Sequence, residues 1–428
     1  MSSRLRIPSW PCRSCGVREA KPEIQPHGVE ANVKDRFAPE WILAAQAWIV
    51  VRLVMGLAWL VTETSWFASV ATKDSTKSLG LFLWDGTYYR DIAKYGYADL
   101  DEFVRRFFPA YPLLGRAGGW LLGNRPDIAL VLLSNAAAFA ASILLYRLVV
   151  ERMGDERLAR LSVWCLALWP ASAAFGWVYA EAFAMAFACG AMLAFSRGHH
   201  GRAAVLAMLA SLSRPTGVLL CVVFALEAAP QMLALIRGTG SGEDESPQAK
   251  KTLVGRAIGT SRLLVVVSSP AIGLGLYLLW LQDRFGTYGS VTEAQAQYRA
   301  GWHEPFSRFG QAVLEVATGD RRDVINLGFA VVVIAALVVG RRRLPLPWLI
   351  GLGATLLVSL SANNIDSLGR YSLSSCALPV ALAALVQYVC SLPLLKHHQR
   401  SANIAAFSAS SAFLGLYCVL AWSGRMIP

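Results

Sequence analysis

Charge is scarce in this chain. Of its 428 residues only 16% are charged, while 55% are hydrophobic and mean hydropathy is positive. A soluble domain carries about 25% charged residues, so composition speaks against one. Clustered cysteine is lacking too. Cys12 and Cys15 form the one close pair; a structural zinc site needs four ligands, and only His27 lies near. The other cysteines are scattered through apolar runs, where Cys behaves as a small hydrophobe, and no disulfide framework is indicated. The six histidines fall mostly in loops and tails, so no metal site is expected. The first 37 residues are polar, rich in Pro and Arg, and without the apolar core of a signal peptide. The first span is therefore expected to be an uncleaved anchor. Internal repeats and a separate soluble domain are also missing.

What the chain has in quantity is long apolar runs. About 20 such residues cross a hydrocarbon core of about 30 Å. Runs of this kind cover roughly 41–62, 127–149, 158–175, 178–196, 263–281, 323–340, 345–361, 371–392 and 402–422. A tenth, 203–230, is broken by Arg214-Pro215-Thr216-Gly217. The expected fold class is all-α: a polytopic transmembrane bundle with nine spans and one broken element. A net charge of +12 in a soluble protein would suggest nucleic acid. Here the arginines flank spans and set topology, and no nucleic-acid partner is expected.

Short loops holding Lys and Arg stay on the cytoplasmic side. The richest are Arg341-Arg342-Arg343, Lys396 to Arg400, the turn with Arg147, Arg152, Arg157 and Arg160, and the pair Arg197 and Arg202. Setting all of them inside puts 63–126, 283–322 and 362–370 outside. That parity requires 203–230 either to enter and return on the cytoplasmic side or to cross twice as two short half-helices. The expected organisation is a cytoplasmic, disordered polar tail over 1–39 and one membrane domain over 40–428. Within that domain the outer loop is about 63–126, and a flexible cytoplasmic loop, rich in Gly and Ser, lies at about 236–261.

The outer segment Trp84-Asp85-Gly86-Thr87-Tyr88-Tyr89-Arg90-Asp91-Ile92-Ala93-Lys94-Tyr95-Gly96-Tyr97 has helical spacing, with Tyr88, Ile92 and Tyr95 on one stripe. Its aromatic density suits short helices lying in the headgroup layer. An N-capping role for Asp85 in an ordinary interfacial loop explains the same residues.

Trp84-Asp85, Tyr89, Ile92-Ala93 and Gly96-Tyr97, followed by Phe107-Phe108-Pro109-Ala110-Tyr111-Pro112 and Arg116, resemble the GPI mannosyltransferase II (PIG-V) family and its bacterial relatives. The likeness continues through Leu168-Trp169-Pro170-Ala171-Ser172, Tyr179-Ala180-Glu181-Ala182-Phe183, Leu212-Ser213-Arg214-Pro215-Thr216-Gly217, Arg284-Phe285-Gly286, Gln295 or Gln297 with Trp302, and Gly369-Arg370-Tyr371. It covers roughly residues 40–390, in order. Ala180 departs from it, standing where the family pattern has Ser before the Glu.

This resemblance implies a GT-C fold and an active site in the first large outer loop. It also implies a polyprenyl- or dolichyl-phosphate mannose donor and inversion at the anomeric carbon. The expected partners are membrane lipid, that donor, and a glycolipid, glycan or protein acceptor. No cofactor is expected, since a lipid phosphate leaves without a metal. The resemblance points to Asp85 as the general base, its carboxyl pKa raised by partial desolvation, with Trp84 walling the sugar face. Asp91 is a supporting candidate that a solvated helix face explains equally well. Glu181 lies at the outer end of an apolar hairpin, where an acid is functional by default; it orients the acceptor or pairs with an arginine. Tyr89, Tyr97, Arg116, Tyr371 and Trp302 are carried over as substrate contacts. Arginine suits the leaving phosphate. Arg370 fits an outer site more simply than Arg214, which also reads as a cytoplasmic-end residue.

A transporter or lipid flippase is the rival from another class, because broken helices and intramembrane charges also mark transport paths. A scaffold that has lost activity is a third. Compact loops and the lack of a retention signal favour a bacterial plasma membrane, and a eukaryotic member would sit in the endoplasmic reticulum.

Overall fold

A computed structural model describes residues 39–237, 247–287, 301–320, 323–395 and 397–428, with positions 291, 293 and 296. Cys12, Cys15, Gln295, Gln297, residues 238–246 of the expected cytoplasmic loop and all but Pro39 of the expected tail fall outside the described residues. Regular structure among the described residues is helical, and one isolated antiparallel bridge joins Trp302 to Ala362.

The first span is α1 (Pro39–Val61). The segment after it folds into short helices: α2 (Ser65–Val70), α3 (Asp85–Tyr95) and α4 (Ala110–Leu121). Next come α5 (Pro126–Met153), α6 (Glu156–Leu168), α7 (Glu181–Ser196), α8 (His200–Ser213), α9 (Leu220–Arg237) and α10 (Pro247–Phe285). The chain closes with α11 (Pro305–Ala317), α12 (Val324–Gly340), α13 (Leu346–Leu360), α14 (Leu368–Ser372), α15 (Ala377–Ser391) and α16 (Gln399–Trp422). Among the described residues five stretches are able, by length and composition, to cross a membrane: Pro39–Val61, Pro126–Met153, Pro215–Leu235, Ala257–Phe285 and Gln399–Trp422. α7, α12, α13 and α15 are shorter apolar helices. The protein is a multi-pass helical membrane protein.

Several expected spans are shorter than their apolar runs, each for a local reason. In 158–175 the α-helix stops at Leu168, because Pro170 cannot continue the backbone ladder, and residues 170–175 form a 3₁₀ turn. In 371–392 the helix starts only at Ala377; Ser367, in a left-handed conformation (φ 67°), opens the separate short helix α14. The cytoplasmic loop expected over 236–261 is already helical from Pro247. Arg214 is extended (φ −150°, ψ 142°), as a residue before proline tends to be, and it separates α8 from the 3₁₀ turn leading into α9.

Contacts at the two ends of the bundle fix the direction of each helix. At one end Arg147 pairs with Glu40 (2.8 Å), Arg152 with Glu227 (2.6 Å) and Arg197 with Glu151 (3.1 Å). At the other, Tyr277 donates to the Arg105 carbonyl (2.7 Å), Trp422 Nε1 to Gly80 (2.9 Å) and Trp84 Nε1 to Ala421 (3.2 Å). α8 starts beside Arg197 and runs 14 residues, about 21 Å, away from the arginine-rich end. The Glu227–Arg152 pair shows that α9 returns to it. Residues 203–230 therefore run to the opposite end and back, as the parity requires, and the return leg, Pro215–Leu235, is of span length and not a half-helix. Small residues let α5, α7 and α8 approach one another closely: Ala137, Ala141, Ala188, Ala191, Ala203 and Ala207 are all buried.

Which end faces out is testable by single-cysteine labelling in a background without native cysteines. Lys73→Cys and Asn363→Cys are expected to react with an impermeant thiol reagent added outside intact cells, and Arg157→Cys and Arg342→Cys to stay unlabelled. The reverse pattern would overturn the arginine-based orientation.

Candidate active site

The end opposite the arginine-rich turns holds a buried cluster of charges drawn from four parts of the chain. Asp85 stands at the first residue of α3. Its Oδ2 accepts from Arg370 Nη1 at 2.5 Å, and its Oδ1 lies 3.5 Å from Arg106 Nη2. The same Nη1 of Arg370 is 3.2 Å from Glu181 Oε1, and Arg214 donates to that oxygen. Asp85 makes no helix cap. Trp84 holds the capping position without a side-chain bond, so the carboxylate is directed to the arginines instead of the helix amides.

The local folding of each contributor explains the placement. Trp84 has φ 48° and ψ −118°, uncommon for a bulky residue and costing of order 1–3 kcal/mol. It is held there by its indole bond to Ala421. Gly369 lets Arg370 approach: a Cβ at 369 would come within 2.5 Å of the Phe329 ring, and the Gly369 carbonyl accepts from Trp169 Nε1 at 2.9 Å. The Trp169-Pro170 motif thus positions Arg370. Tyr179 and Tyr371 form the aromatic walls. Arg370 lies 4.8 Å from the Tyr179 ring centre, and Arg214 lies 5.0 Å from that of Tyr371, within cation–π range.

Desolvation alone would raise the Asp85 carboxyl above its ordinary value, but Arg370 and Arg106 together outweigh it and hold the group below that value. The expected upward shift is therefore replaced by a downward one. Two guanidiniums within reach of the carboxylate favour the charged form more than burial disfavours it. Tyr89 is buried on the inward face of α3, and its phenol is pushed up by burial and by Glu181.

Other sequence candidates lie elsewhere. The buried side of α3 carries Gly86, Tyr89, Ile92 and Ala93, while Tyr95 is 59% exposed. The stripe through Tyr88, Ile92 and Tyr95 is thus one residue out of phase with the packing. Asp91 pairs with Arg90 (2.9 Å) and is not in the cluster. Arg116 donates to the Ala93 and Lys94 carbonyls at the far end of α3 (2.8 and 3.1 Å), satisfying the last turn of the helix. Tyr97 is buried and donates to the Phe107 carbonyl (2.6 Å). Trp302 is 76% exposed and bridges Ala362.

Sequence reading passed over Arg106 and Tyr179. Their signals were a charge just before Phe107-Phe108-Pro109 and an aromatic two residues before Glu181. The Tyr179 hydroxyl, Glu181 Oε2 and the Nε atoms of Arg214 and Arg370 are buried without a hydrogen-bond partner among the described residues. Buried polar atoms are normally satisfied, so these four suit a polar ligand. Asp99-Leu100-Asp101 is an Asp-x-Asp spacing in the outer segment. Asp101 there accepts from the Phe103 amide (2.8 Å), and no group of three or more potential metal ligands occurs among the described residues.

Comparison with known proteins adds a likeness in helix course. The chain is similar to the oligosaccharyltransferase of Archaeoglobus fulgidus in a crystal structure with zinc and sulfate (TM-score 0.44, 15% identity, 86% of this chain and 53% of that one). It is also similar to that enzyme tethered to an acceptor peptide (0.42, 14%, 86% and 55%) and in complex with an inhibitory peptide and a dolichol-phosphate (0.39, 13%, 88% and 55%). The chain thus spans about half the length of these structures. No protein-family model and no curated protein matches the sequence.

Proposed function

We propose that the chain is an inverting glycosyltransferase of the GT-C type, transferring mannose from polyprenyl- or dolichyl-phosphate mannose to a glycolipid, glycan or protein acceptor. The supporting observation is the Asp85 carboxylate held between Arg370 and Arg106, beside the unpartnered Glu181 Oε2 and Tyr179 hydroxyl.

Each group has work to do in such a transfer. The acceptor hydroxyl oxygen attacks the anomeric carbon from the face opposite the phosphate. The C–O bond to phosphate breaks with its electron pair going to the phosphate, and the hydroxyl proton passes to Asp85. Arginine stabilises the developing phosphate charge through parallel hydrogen bonds, and Arg370 is the cation nearest the base. When phosphate engages Arg370, Asp85 loses its closest positive neighbour and its proton affinity rises. The base thus strengthens when donor is in place. Glu181 holds both Arg214 and Arg370, and its free oxygen suits a sugar hydroxyl. A bacterial plasma membrane is the proposed location, with the cluster on the extracytoplasmic side.

The test is purified protein in liposomes loaded with labelled polyprenyl-phosphate mannose and a membrane extract as acceptor source. Label leaving the polyprenyl lipid for another molecule, with inverted configuration, is the expected result. Label crossing leaflets while still on polyprenyl phosphate would mean a flippase, and neither event would mean a scaffold.

A further inference from the structure

We propose that the arginine-rich end carries a binding site for an anionic diacyl phospholipid, separate from the cluster around Asp85. A groove of about 350 Å³ lies there between α5, α7 and α8. Leu144 of α5 and Leu206 of α8 form its walls, Ala186 and Gly190 of α7 its floor, and Arg197 and Arg202 its mouth, with His199 between them.

The dimensions match one lipid chain in one leaflet. Ala186 to Arg197 is eleven residues of helix, about 16 Å, and half of a hydrocarbon core is about 15 Å. At Gly190 the two walls come close to the floor: a Cβ there would stand 3.2 Å from the Leu206 side chain and 3.7 Å from Leu144. The groove is apolar along its length and basic only at the end where a headgroup lies.

Charge complementarity selects the occupant. Arg197 is partly neutralised by Glu151 at 3.1 Å. Arg202 is exposed and has no ion pair or hydrogen bond among the described residues. A phosphate headgroup supplies the counter-charge that Arg202 lacks, and a zwitterionic headgroup supplies it less well. Basic pockets between membrane helices recognise anionic headgroups in this way. A polyprenyl phosphate has the same headgroup chemistry, but its sugar would then sit at the end of the bundle away from Asp85.

The experiment is native mass spectrometry of the full chain released from nanodiscs of equal phosphatidylglycerol and phosphatidylcholine. The chain is expected to retain phosphatidylglycerol preferentially. Arg202→Gln is expected to lower that preference about fivefold, the change for one basic residue at an anionic headgroup. Ala186→Leu, which fills the floor, is expected to reduce retention of phosphatidylglycerol. Arg342→Gln, a basic residue at the same end and outside the groove, is expected to leave it unchanged. Equal loss with Arg202→Gln and Arg342→Gln would show diffuse attraction and overturn the site, as would no loss with Arg202→Gln. Displacement of phosphatidylglycerol by equimolar polyprenyl phosphate would reassign the groove to that lipid and likewise overturn the proposal.

Discussion

Asp85→Asn is expected to lower sugar transfer from the lipid donor by about 10²–10⁴-fold, the usual contribution of a general base, in protein that still folds and binds donor. Asparagine matches aspartate in shape and keeps an oxygen able to accept from Arg370. It cannot take the acceptor proton. If Asp85 were only a helix cap the exchange would be nearly silent, since Asn caps about as well as Asp, but the carboxylate makes no cap bond. The pH profile gives a second readout. The group's pKa is held below its ordinary 3.8 by Arg370 and Arg106, so without donor it stays ionised from neutrality down through that value. The stability its ion pairs contribute is full above the unfolded pKa and disappears as pH falls through the lower folded one. The difference in melting temperature between wild type and Asp85→Asn should therefore be constant near neutrality and narrow only below about pH 4. Near-normal turnover in a folded Asp85→Asn protein would move the base to Glu181.

Arg370→Met is expected to destabilise the protein by about 1.5–3 kcal/mol, the worth of a hydrogen bond to a charged group, because Arg106 stays beside Asp85 and Arg214 stays on Glu181. A single Arg370 nitrogen serves both Asp85 and Glu181, so two carboxylates lose a partner together. Glu181→Gln in the Arg370→Met background should deepen the loss, because it leaves the buried Arg214 without its carboxylate, and a denaturation double-mutant cycle in detergent reads the non-additivity as coupling. Arg370→Lys keeps a charge without the planar fork, and should preserve much of the stability while weakening donor use. Arg214→Lys is also expected to be damaging, because Arg214 shares Glu181 with Arg370. Independent, additive effects at 370 and 181 would show that the cluster is not a unit.

The pairing of Arg214 with the outer cluster marks the boundary of what a linear chain reveals. Span-length apolar runs need no tertiary information: hydrocarbon solvation dictates helices there, and α1, α5 and α16 follow their runs closely. The arginine pattern also determined the parity of the loops, because each short loop is read alone. Asp85 could be singled out because its motif is contiguous. The partner of a charge is different. Arg370 and Asp85 are 285 residues apart in sequence, and nothing local says that Arg214, at the break between α8 and α9, reaches the same oxygen of Glu181. Only the out-and-back path of α8 and α9 places Arg214 at the site end. The phase of α3 was likewise set by packing, since a short amphipathic helix has several plausible faces and the neighbours Phe107 and Tyr111 choose Tyr89 over Tyr95. Even the direction of the Asp85 pKa shift belongs to the tertiary structure. Burial and opposite charge act with opposite sign on one carboxyl, and only the positions of two arginines from elsewhere in the chain decide which prevails.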